Sequence, residues 1–513
     1  MSNTKKAPQG SNLDELEQHE NTKNDSKTVI VPIGSSLSEA AEELDEPADI
    51  LDFFELDKKN SKWKVGNDRF IKCLVRLGYR TIELGKAYEF VKIENCIVER
   101  AAPTQVKQHI LSLCDDSDKR DVIIGNTRLF SDKFLDAIKL EKLAMHRDTP
   151  TVSFFYYNNG VLKVSKDGWE LIPYQQFKKL VWRDHISDRD FNPADYKLGQ
   201  FYDFIKKVCA NDAERIKGLM TTIGFALHDY KTSATSRAII IQDEMFSDTP
   251  EGGSGKGLIV VAIGKLRKTI NMDGKNFDAK NNFVWENVNE SVRVIHIDDV
   301  RTGFNFEDLF SVITGGFQNV NRKNKAEFSL PVEDSPIIII TTNNVVRGAS
   351  GSFLRRQIAV DLHQYFHSER TPHDQYGNFF FEEWSEAEWE MFDSFMIACV
   401  QLYFAEGVLP CKGEDDPVKR AVKATSQTFV EWFQDTELLS TEYSLSEARN
   451  QYKDHSDIRS SISGKRIGNY IRECAKIFGF EVKQISNRHP RTYTLVKTTK
   501  QSVLSVRDDE IPF

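Results

Sequence analysis

The sequence predicts an α/β fold in which a mostly parallel sheet surrounds a glycine-rich loop. An α+β region and a helical region precede this core, and a winged helix follows it. The loop, Pro250–Leu258, lies between an apolar run that ends at Gln242 and a helical pattern that continues to Ile263. Two further apolar runs, 291–299 and 335–343, end in polar side chains. A buried strand, a glycine turn, a helix and further buried strands are typical of a parallel α/β core.

Composition and charge limit the classes of protein to which the chain can belong. Of 513 residues, 40% are hydrophobic and 28% charged, typical of a globular chain of about three or four domains. No apolar run reaches the length of a membrane span, and residues 1–46 are polar, so we expect a disordered N-terminal segment and a cytoplasmic protein. Seven cysteines without a C-x-x-C pair indicate reduced thiols and no zinc site. A net charge of −9 does not exclude nucleic acid, because basic residues can cluster locally.

The region before the loop divides into two predicted parts. Residues 47–165 form an α+β domain that ends in a hairpin with the turn Asn158-Asn159-Gly160. Residues 166–235 form a helical domain, for which we expect packing or subunit contact and no chemistry. The predicted elements are strands at 62–66 and 79–83, a helix at 102–114, hairpin strands at 152–157 and 161–164, and two helices within 198–230.

The glycine-rich loop has the residues that a phosphate-binding loop (P-loop) needs. Glycines let successive backbone N–H groups turn toward an anion, and the following helix adds its partial positive charge. Lys256 would then reach the β- and γ-phosphates of a nucleotide; the alternative is a Gly/Ser turn with an incidental lysine. Pro250 and Gly257 depart from G-x-x-x-x-G-K-[ST], so Mg²⁺ would be held through water or by acidic residues downstream. The predicted nucleotide-binding residues are Gly252, Gly253, Ser254, Gly255, Lys256, Gly257 and Leu258.

Polar side chains end the next two predicted strands. Asp298 is predicted to hold Mg²⁺ directly or through water, and Asp299 to act as the base for the attacking water. The alternative is an ordinary buried strand with a polar end, in which His296 is a packed side chain. Asn343 is predicted to contact the γ-phosphate or to hold the attacking water, and its alternative role is that of a turn residue.

Two groups of basic residues flank the last of these strands. A glycine-rich hairpin at 315–325 carries three basic side chains and no acid, which indicates contact with a DNA phosphate backbone; the alternative is a solvated hairpin. Arg355 and Arg356 precede a strand and are both candidates to reach the γ-phosphate of a neighbouring subunit, or are surface salt-bridge partners. The basic residues of the hairpin are Arg322, Lys323 and Lys325.

The order of these motifs resembles that of superfamily 3 helicases, the hexameric AAA+ helicases of viruses, phages and plasmids. Within them, it is similar to the poxvirus-type primase-helicase proteins of phages and bacterial mobile elements. The resemblance covers about 150–500. The motifs that carry it are GGSGKG, VIHIDD, ITGGFQNVNRKNK, IIIITTN and LRR.

This resemblance implies an AAA+ ATPase core at 236–365 that binds ATP and Mg²⁺ and assembles as a ring, expected to be a hexamer. Gly257 stands where the family usually has Ser or Thr. Many relatives carry a primase domain, but residues 47–150 have no acidic catalytic constellation, and no primase activity is predicted. The residues that the resemblance assigns are Lys256 to phosphate, Asp298 and Asp299 to an acidic pair, Asn343 to the sensor, and Lys323 and Lys325 to DNA in the pore.

Beyond the core, residues 366–415 are predicted to form a helical extension and residues 416–498 a winged helix. A basic cluster on its third helix and wing indicates binding in the DNA major groove, as at an origin; the alternative is a solvated face. The predicted elements are helices at 424–433, 445–452 and 463–472 and strands at 480–485 and 491–496. The predicted DNA-binding residues are Lys465, Arg466, Lys483, Arg488 and Arg491.

The last segment, 499–513, is acidic and ends in Pro512-Phe513. It resembles the C-terminal peptide of bacterial single-stranded DNA-binding protein, in which an apolar anchor and a terminal carboxylate enter a basic-rimmed pocket. This implies that the chain recruits host proteins that bind that peptide; the alternative is a disordered charged tail. The predicted partner-binding residues are Asp508, Asp509, Glu510, Ile511, Pro512 and Phe513.

Together these predictions indicate an ATP-dependent DNA helicase that replicates a phage or mobile element in the bacterial host cytoplasm and moves on single-stranded DNA by its pore hairpins. The alternative is a non-translocating, ATP-binding protein that recognises an origin or loads another protein. Gly257 keeps this alternative open, because turnover without the hydroxyl ligand is not assured.

Overall fold

Most of the chain is described by a computed structural model. The described residues are 50–59, 62–84, 87–244, 253–281, 283–301, 304–321, 327–343, 346, 351–411, 417–456, 462–486 and 490–497. The predicted disordered segment 1–46 and the tail 499–513 lie outside them. Across the part of the chain so described, no helix combines the length and the apolar composition that a bilayer crossing needs.

The N-terminal part of the fold mixes short strands and helices, as predicted. Helix α1 buries Phe70, Cys73 and Leu74 on one face, because apolar residues three and four apart share a helix face. Strands β3, β4 and β5 are antiparallel, and β6 joins β3 in parallel. The elements are β1 (Phe54–Asp57), β2 (Lys62–Val65), α1 (Asn67–Arg76), β3 (Tyr79–Leu84), β4 (Ala87–Glu94), β5 (Ile97–Arg100), α2 (Pro103–Ser112), α3 (Ser117–Gly125), α4 (Asp132–Leu135) and β6 (Leu140–Glu141).

The predicted hairpin is confirmed and continues into a third strand. Gly160 has φ 151°, and a Cβ there would lie 2.7 Å from the Ile172 carbonyl oxygen, so the turn requires glycine. The last strand of the group, β10, leaves the hairpin and pairs in parallel with β5 of the preceding sheet. The strands are β7 (Ser153–Tyr157), β8 (Gly160–Ser165), β9 (Gly168–Ile172) and β10 (Val181–Trp182).

Two helices follow, as the apolar spacing within 198–230 predicts. Helix α5 (Gln200–Val208) buries Phe201 and Phe204, and helix α6 (Ala213–Leu227) is buried along most of its length. Asp212 caps α6 by accepting a hydrogen bond from the Arg215 N–H. Both helices pack beneath the central sheet and therefore help to position the glycine-rich loop.

The central sheet is parallel, as predicted, and in the described residues it has the order β12-β13-β16-β11-β17. Ile239 lies opposite Ile339 on one neighbour and Ile358 on the other, so the strands end in step at one edge. The elements are β11 (Ala238–Asp243), α7 (Lys256–Gly264), β12 (Thr269–Asp273), β13 (Val294–Asp298), α8 (Phe310–Gly315), β14 (Phe317–Val320), β15 (Phe328–Leu330), β16 (Ile337–Thr342), α9 (Gly351–Arg355) and β17 (Gln357–Leu362). Strands β14 and β15 form a separate two-stranded antiparallel sheet.

Both faces of this sheet are covered, which explains why its strands are almost continuous apolar runs. Ile239 and Ile339 share a core with Ile259 of α7 on one face. Ile240 and Ile338 belong to a second core on the other face. The arrangement is compatible with a P-loop α/β core.

The C-terminal part has the predicted helices and strands, with one correction. The helix predicted at 424–433 begins at Gln427, because Ser426 caps it by accepting a hydrogen bond from the Phe429 N–H, and Ala424 instead ends a separate helix. Strands β18, β20 and β19 form an antiparallel sheet in that order. The elements are α10 (Pro372–Tyr376), α11 (Glu386–Glu406), α12 (Pro417–Ala424), α13 (Gln427–Asp435), β18 (Tyr443–Ser444), α14 (Leu445–Ser456), α15 (Gly464–Phe478), β19 (Phe480–Ser486) and β20 (Thr492–Lys497). The winged helix itself stays a prediction.

One hydrophobic core connects several of the predicted domains. It runs from Phe155 of the hairpin through α5, α6, the central sheet and α11 to Cys411. The predicted boundaries at 165/166, 235/236 and 365/366 all fall within this core, and the division into domains stays a prediction. A separate core, which includes Trp432 and Ile471, lies in the C-terminal part.

A half-buried histidine near the hairpin, His146, leads to a prediction about acid stability. Burial lowers the pKa of His146 from its ordinary value of 6.5 to about 4, and Lys179 adds to the shift. The His146 imidazole therefore binds a proton more tightly in the unfolded chain than in the folded chain. Its contribution to folding stability is present above pH 6.5 and is lost as the pH falls from 6.5 to 4.

We expect urea unfolding at a series of pH values to show a smaller loss of stability in His146→Gln than in the wild type across that window. Glutamine can keep the hydrogen bond that His146 Nδ1 makes to the Tyr156 hydroxyl at 3.0 Å, but it does not titrate. Equal pH dependence in the two proteins would contradict the prediction.

Candidate active site

The glycine-rich loop enters helix α7 at the carboxyl edge of the central sheet. Gly255 caps the helix with φ 94°, and a Cβ there would lie 2.6 Å from Phe204 Cζ. Gly253 also has a positive φ, 101°. Both backbone conformation and packing therefore require glycine at position 255. Pro250 and Gly252 lie outside the described residues.

Lys256, the first residue of α7, is held between the ends of two neighbouring strands. Its Nζ donates to Asp243 Oδ2 at 2.6 Å, to Asn343 Oδ1 at 2.6 Å and to Ser254 Oγ at 2.9 Å. The residue is only 9% exposed. Since an ammonium has three protons, all its donors are used, and the lysine is fixed at the end of β11 and β16.

Asn343 connects the lysine to one member of the acid pair. Its Nδ2 donates to Asp299 Oδ1 at 3.3 Å, and Asp299 Oδ2 pairs with Lys275 Nζ at 3.0 Å. The hydrogen bond to Asp299 raises the pKa of Lys275 above its ordinary value of 10.5. Asp299 has φ 52°, a conformation in which the chain turns away directly after β13. Lys256, Asn343 and Asp299 therefore form one hydrogen-bonded chain.

Asp298 lies on the same edge but in a different set of contacts. Its side chain is 61% exposed, and its Oδ1 accepts from Thr341 Oγ1 at 2.6 Å. Thr341 Oγ1 also accepts from the Asp299 N–H at 3.2 Å and contacts His296 Nε2 at 3.0 Å. His296 is buried, and burial lowers its pKa, which is the behaviour expected of a packed side chain.

The donor set fits a divalent cation that arrives with a nucleotide. Among the described residues no group of three or more His, Cys, Asp or Glu side chains is arranged to hold a metal ion. Mg²⁺ does not need such a group, since it keeps several waters and is usually bound by one or two carboxylates together with substrate phosphates. The exposed carboxylate of Asp298 at the strand edge can serve in this way.

Asp243 and Lys275 are two site residues that the sequence analysis missed. Asp243 ends β11 and is 8% exposed; its Oδ2 pairs with Lys256, whereas its Oδ1 is buried and makes no hydrogen bond within the described part of the chain. The signal that could have found it is the one that found Asp298, a carboxylate at the end of a buried apolar strand. Lys275 does not end a strand and reaches Asp299 from the loop after β12, within the stretch DGKNF at 273–277 that the resemblance to superfamily 3 helicases includes.

The two candidate arginines lie at the opposite edge of the sheet. The Ala238 N–H, at the start of β11, donates to the Arg356 carbonyl at 2.8 Å. Strand β11 is six residues long, which separates this edge from Asp243 by roughly 16 Å. Arg355 is exposed, whereas Arg356 lies 4.7 Å from the Phe310 ring centroid. Within one chain the structure therefore does not bring either arginine to Lys256.

The predicted DNA contacts are described only in part. Arg322, Lys323, Lys325 and Arg488 lie outside the described residues, as do Asp508, Asp509, Glu510, Ile511, Pro512 and Phe513. The other predicted residues, all exposed, lie on the first turn of α15, on β19 and just before β20; they are Lys465, Arg466, Lys483 and Arg491. The guanidinium of Arg466 also donates to the Tyr470 hydroxyl at 2.9 Å.

No family model matches the chain, and no curated protein matches it. Similar solved structures include three of the C-terminal region of NrS-1 in its apo state. One, an A form structure, is 13% identical with a TM-score of 0.39 and covers 83% of this chain and 99% of that chain. A second is 12% identical with a TM-score of 0.39, and a third is 13% identical with a TM-score of 0.40; each covers 83% of this chain and 98% of the other. At these identities and TM-scores the comparisons assign neither a family nor an activity to the chain.

Proposed function

We propose that this chain is an ATP-dependent DNA helicase of the superfamily 3, AAA+ type that serves the replication of a phage or mobile element. One observation carries the proposal. Lys256 of the glycine-rich loop is connected through Asn343 to Asp299 by direct hydrogen bonds, at the carboxyl edge of a parallel sheet. Ligands of open α/β sheets bind at this edge.

Each of these residues has a task in cleaving a triphosphate. Lys256 would exchange its protein acceptors for β- and γ-phosphate oxygens, while the first N–H groups of α7 cradle the phosphates. The Asn343 amide would orient the attacking water, and Asp299 would accept its proton. Asp298 would hold Mg²⁺, which neutralises charge on the phosphates when bound.

The place of the arginines supports assembly as a ring. Arg355 and Arg356 lie too far from Lys256 to act on a nucleotide in their own chain, but an exposed arginine can reach a site on a neighbouring subunit. Arg355 is the better candidate, because Arg356 is packed against Phe310. We propose a hexamer in which the hairpin of β14 and β15 carries Lys323 and Lys325 into the pore.

The C-terminal part supports contact with DNA. Its order of helix α13, strand β18, helices α14 and α15, and strands β19 and β20 is that expected of a winged helix. The N-terminal turn of α15 carries exposed Lys465 and Arg466, and basic side chains at such a position suit phosphate contacts. For the acidic tail that ends in Phe513, the proposal of binding to host proteins depends on the sequence alone.

Lys256→Ala is expected to abolish DNA-stimulated ATP hydrolysis, because no other described side chain takes the place of its ammonium between β11 and β16. Phosphate release with and without single-stranded DNA measures this. Strand displacement on duplexes with 3′ and 5′ tails then shows movement and its direction. Lys280→Ala, at an exposed lysine, is the matched control and should hydrolyse ATP at the wild-type rate. Hydrolysis that persists in Lys256→Ala would refute the proposed site.

The alternative function is a non-translocating, ATP-binding protein that recognises an origin or loads a partner. It is favoured by Gly257, which offers no hydroxyl to Mg²⁺, and by the ion pair that neutralises Lys256. Nucleotide binding to the wild type without hydrolysis, with or without DNA, would support it over the helicase.

A further inference from the structure

Gly257, the second residue of α7, leaves a gap where a cation ligand is expected. In loops of this type a Ser or Thr hydroxyl at this position contacts Mg²⁺. Apart from its chain neighbours and its own helix backbone, a Cβ at Gly257 would have no described atom within 4 Å, so no other side chain of the described residues replaces the hydroxyl at that point. Any protein oxygen that compensates must reach the phosphates from another element.

Asp243 has such an oxygen. The residue is 8% exposed, and its Oδ2 is 2.6 Å from Lys256 Nζ, so the carboxylate borders the space that the phosphates would occupy. Its Oδ1 is buried and has no hydrogen-bond partner among the described residues. A buried carboxylate oxygen without a partner is unfavourable in the empty site, and a cation that binds there removes the penalty.

The net charge of the site also indicates that a cation must bind together with the nucleotide. Two ammonium groups, Lys256 and Lys275, face three carboxylates, Asp243, Asp298 and Asp299, which gives 2 − 3 = −1. A triphosphate brought next to Asp243 would be repelled unless a cation lies between the two anions. Carboxylate oxygens together with phosphate oxygens are the ligands that Mg²⁺ prefers.

We propose that Asp243, through Oδ1, is a ligand of the divalent cation that binds with the nucleotide, directly or through one bound water, and that it takes the place of the hydroxyl that Gly257 lacks. This inference rests on the proposed nucleotide site. Asp243 then has two tasks: it holds Lys256 in the empty site and couples nucleotide binding to the cation once the lysine moves to the phosphates.

The test compares nucleotide affinity in Mg²⁺ and in EDTA for the wild type and Asp243→Asn, with a fluorescent, non-hydrolysable ATP analogue as the probe. The ratio of the two dissociation constants measures the coupling between cation and nucleotide. We expect Asp243→Asn to weaken binding in Mg²⁺ and to strengthen it or leave it unchanged in EDTA, because the repelling charge is gone. The coupling should fall about tenfold or more, the size of effect seen when residues around a metal are removed.

Two further variants separate a cation ligand from a residue that only holds the lysine. Ser254→Ala removes another Lys256 contact, at 2.9 Å, and should change both dissociation constants by the same factor. Gly257→Ser restores the hydroxyl in open space, so adding it to Asp243→Asn should recover coupling. Mn²⁺ titration followed by electron paramagnetic resonance, with the analogue present, measures cation affinity directly. This affinity should fall in Asp243→Asn and recover when Gly257→Ser is added.

Equal changes of the two dissociation constants in Asp243→Asn, as in Ser254→Ala, would overturn the inference and leave the proposed function intact. A wild type that binds no nucleotide in either condition would overturn both. Asp243→Ser keeps an uncharged acceptor for Lys256 and is measured in the same way, so the test stands even where one variant fails to fold.

Discussion

Asp299→Asn is expected to lower ATP hydrolysis by about 10²- to 10⁴-fold, the range over which a positioned acid or base contributes to a rate. Asparagine has the shape of aspartate but cannot accept the proton of the attacking water. The backbone should not change, because Asp299 has φ 52° and asparagine tolerates this left-handed conformation well. Nucleotide binding should persist, because the contacts of Lys256 to Asp243 and Asn343 do not involve Asp299.

Single-turnover hydrolysis and nucleotide binding, measured on the same preparation, separate chemistry from affinity. Asp278→Asn is the matched control, since Asp278 is an exposed carboxylate nearby whose Oδ1 accepts from the Lys280 N–H, a contact that asparagine keeps. Its hydrolysis should equal that of the wild type. Hydrolysis by Asp299→Asn at the wild-type rate would show that another group takes the proton, and the assignment of Asp299 as the base would be wrong.

Arg267→Met is expected to cause the largest loss of stability, about 3–5 kcal/mol, as when one partner of a buried ion pair is removed. Arg267 is 6% exposed. Its guanidinium donates to the Leu227 carbonyl at 2.6 Å, the Phe154 carbonyl at 2.9 Å, Ser153 Oγ at 3.0 Å and Asp148 Oδ2 at 3.1 Å. These contacts connect the core to helix α6 and the hairpin. Methionine fills much of the volume but leaves a buried carboxylate without its counter-charge.

Urea unfolding measures the effect, with Arg128→Met as the control because Arg128 is exposed and its loss should be nearly neutral. Adding Asp148→Asn to Arg267→Met should recover part of the loss, because the unpaired charge is then removed as well. An Arg267→Met protein as stable as the control would mean that water replaces the guanidinium at low cost.

Much of the fold could be predicted from local patterns in the chain. Asn-Gly at 159–160 predicts its hairpin, because glycine alone avoids the Ile172 carbonyl there. The apolar runs that end at Asp298 and Asn343 predict buried strands of a parallel sheet, because both of their faces are covered. The boundary near Ala424 was wrong, because a single Ser426 cap is a weak signal beside continuous helical spacing.

The candidate site was predicted only in part, because its residues are far apart in the sequence and meet only through the pairing of strands in the central sheet. Asp243 and Asn343 are 100 residues apart in the chain, yet they meet on Lys256 because β16 pairs directly with β11. Strand pairing at such distances depends on crossover connections and on burial of both faces, which local propensity does not encode. The pairing of β17 with β11 likewise places Arg356 at the far edge, a fact that its position before β17 does not reveal.

The sequence by itself determined which residues end the buried strands and where glycine must turn the chain, because periodicity and backbone sterics act over a few residues. Only the tertiary structure decided which strand ends are neighbours. It thereby joined Lys256 to Asp243 and, through Asn343, to Asp299, and left one buried carboxylate oxygen of Asp243 without a hydrogen-bond partner in the residues that the structure describes. The physical reason is that packing across the whole core sets the order of strands in a parallel sheet. That order decides which charged side chains at the strand ends lie within contact distance of one another.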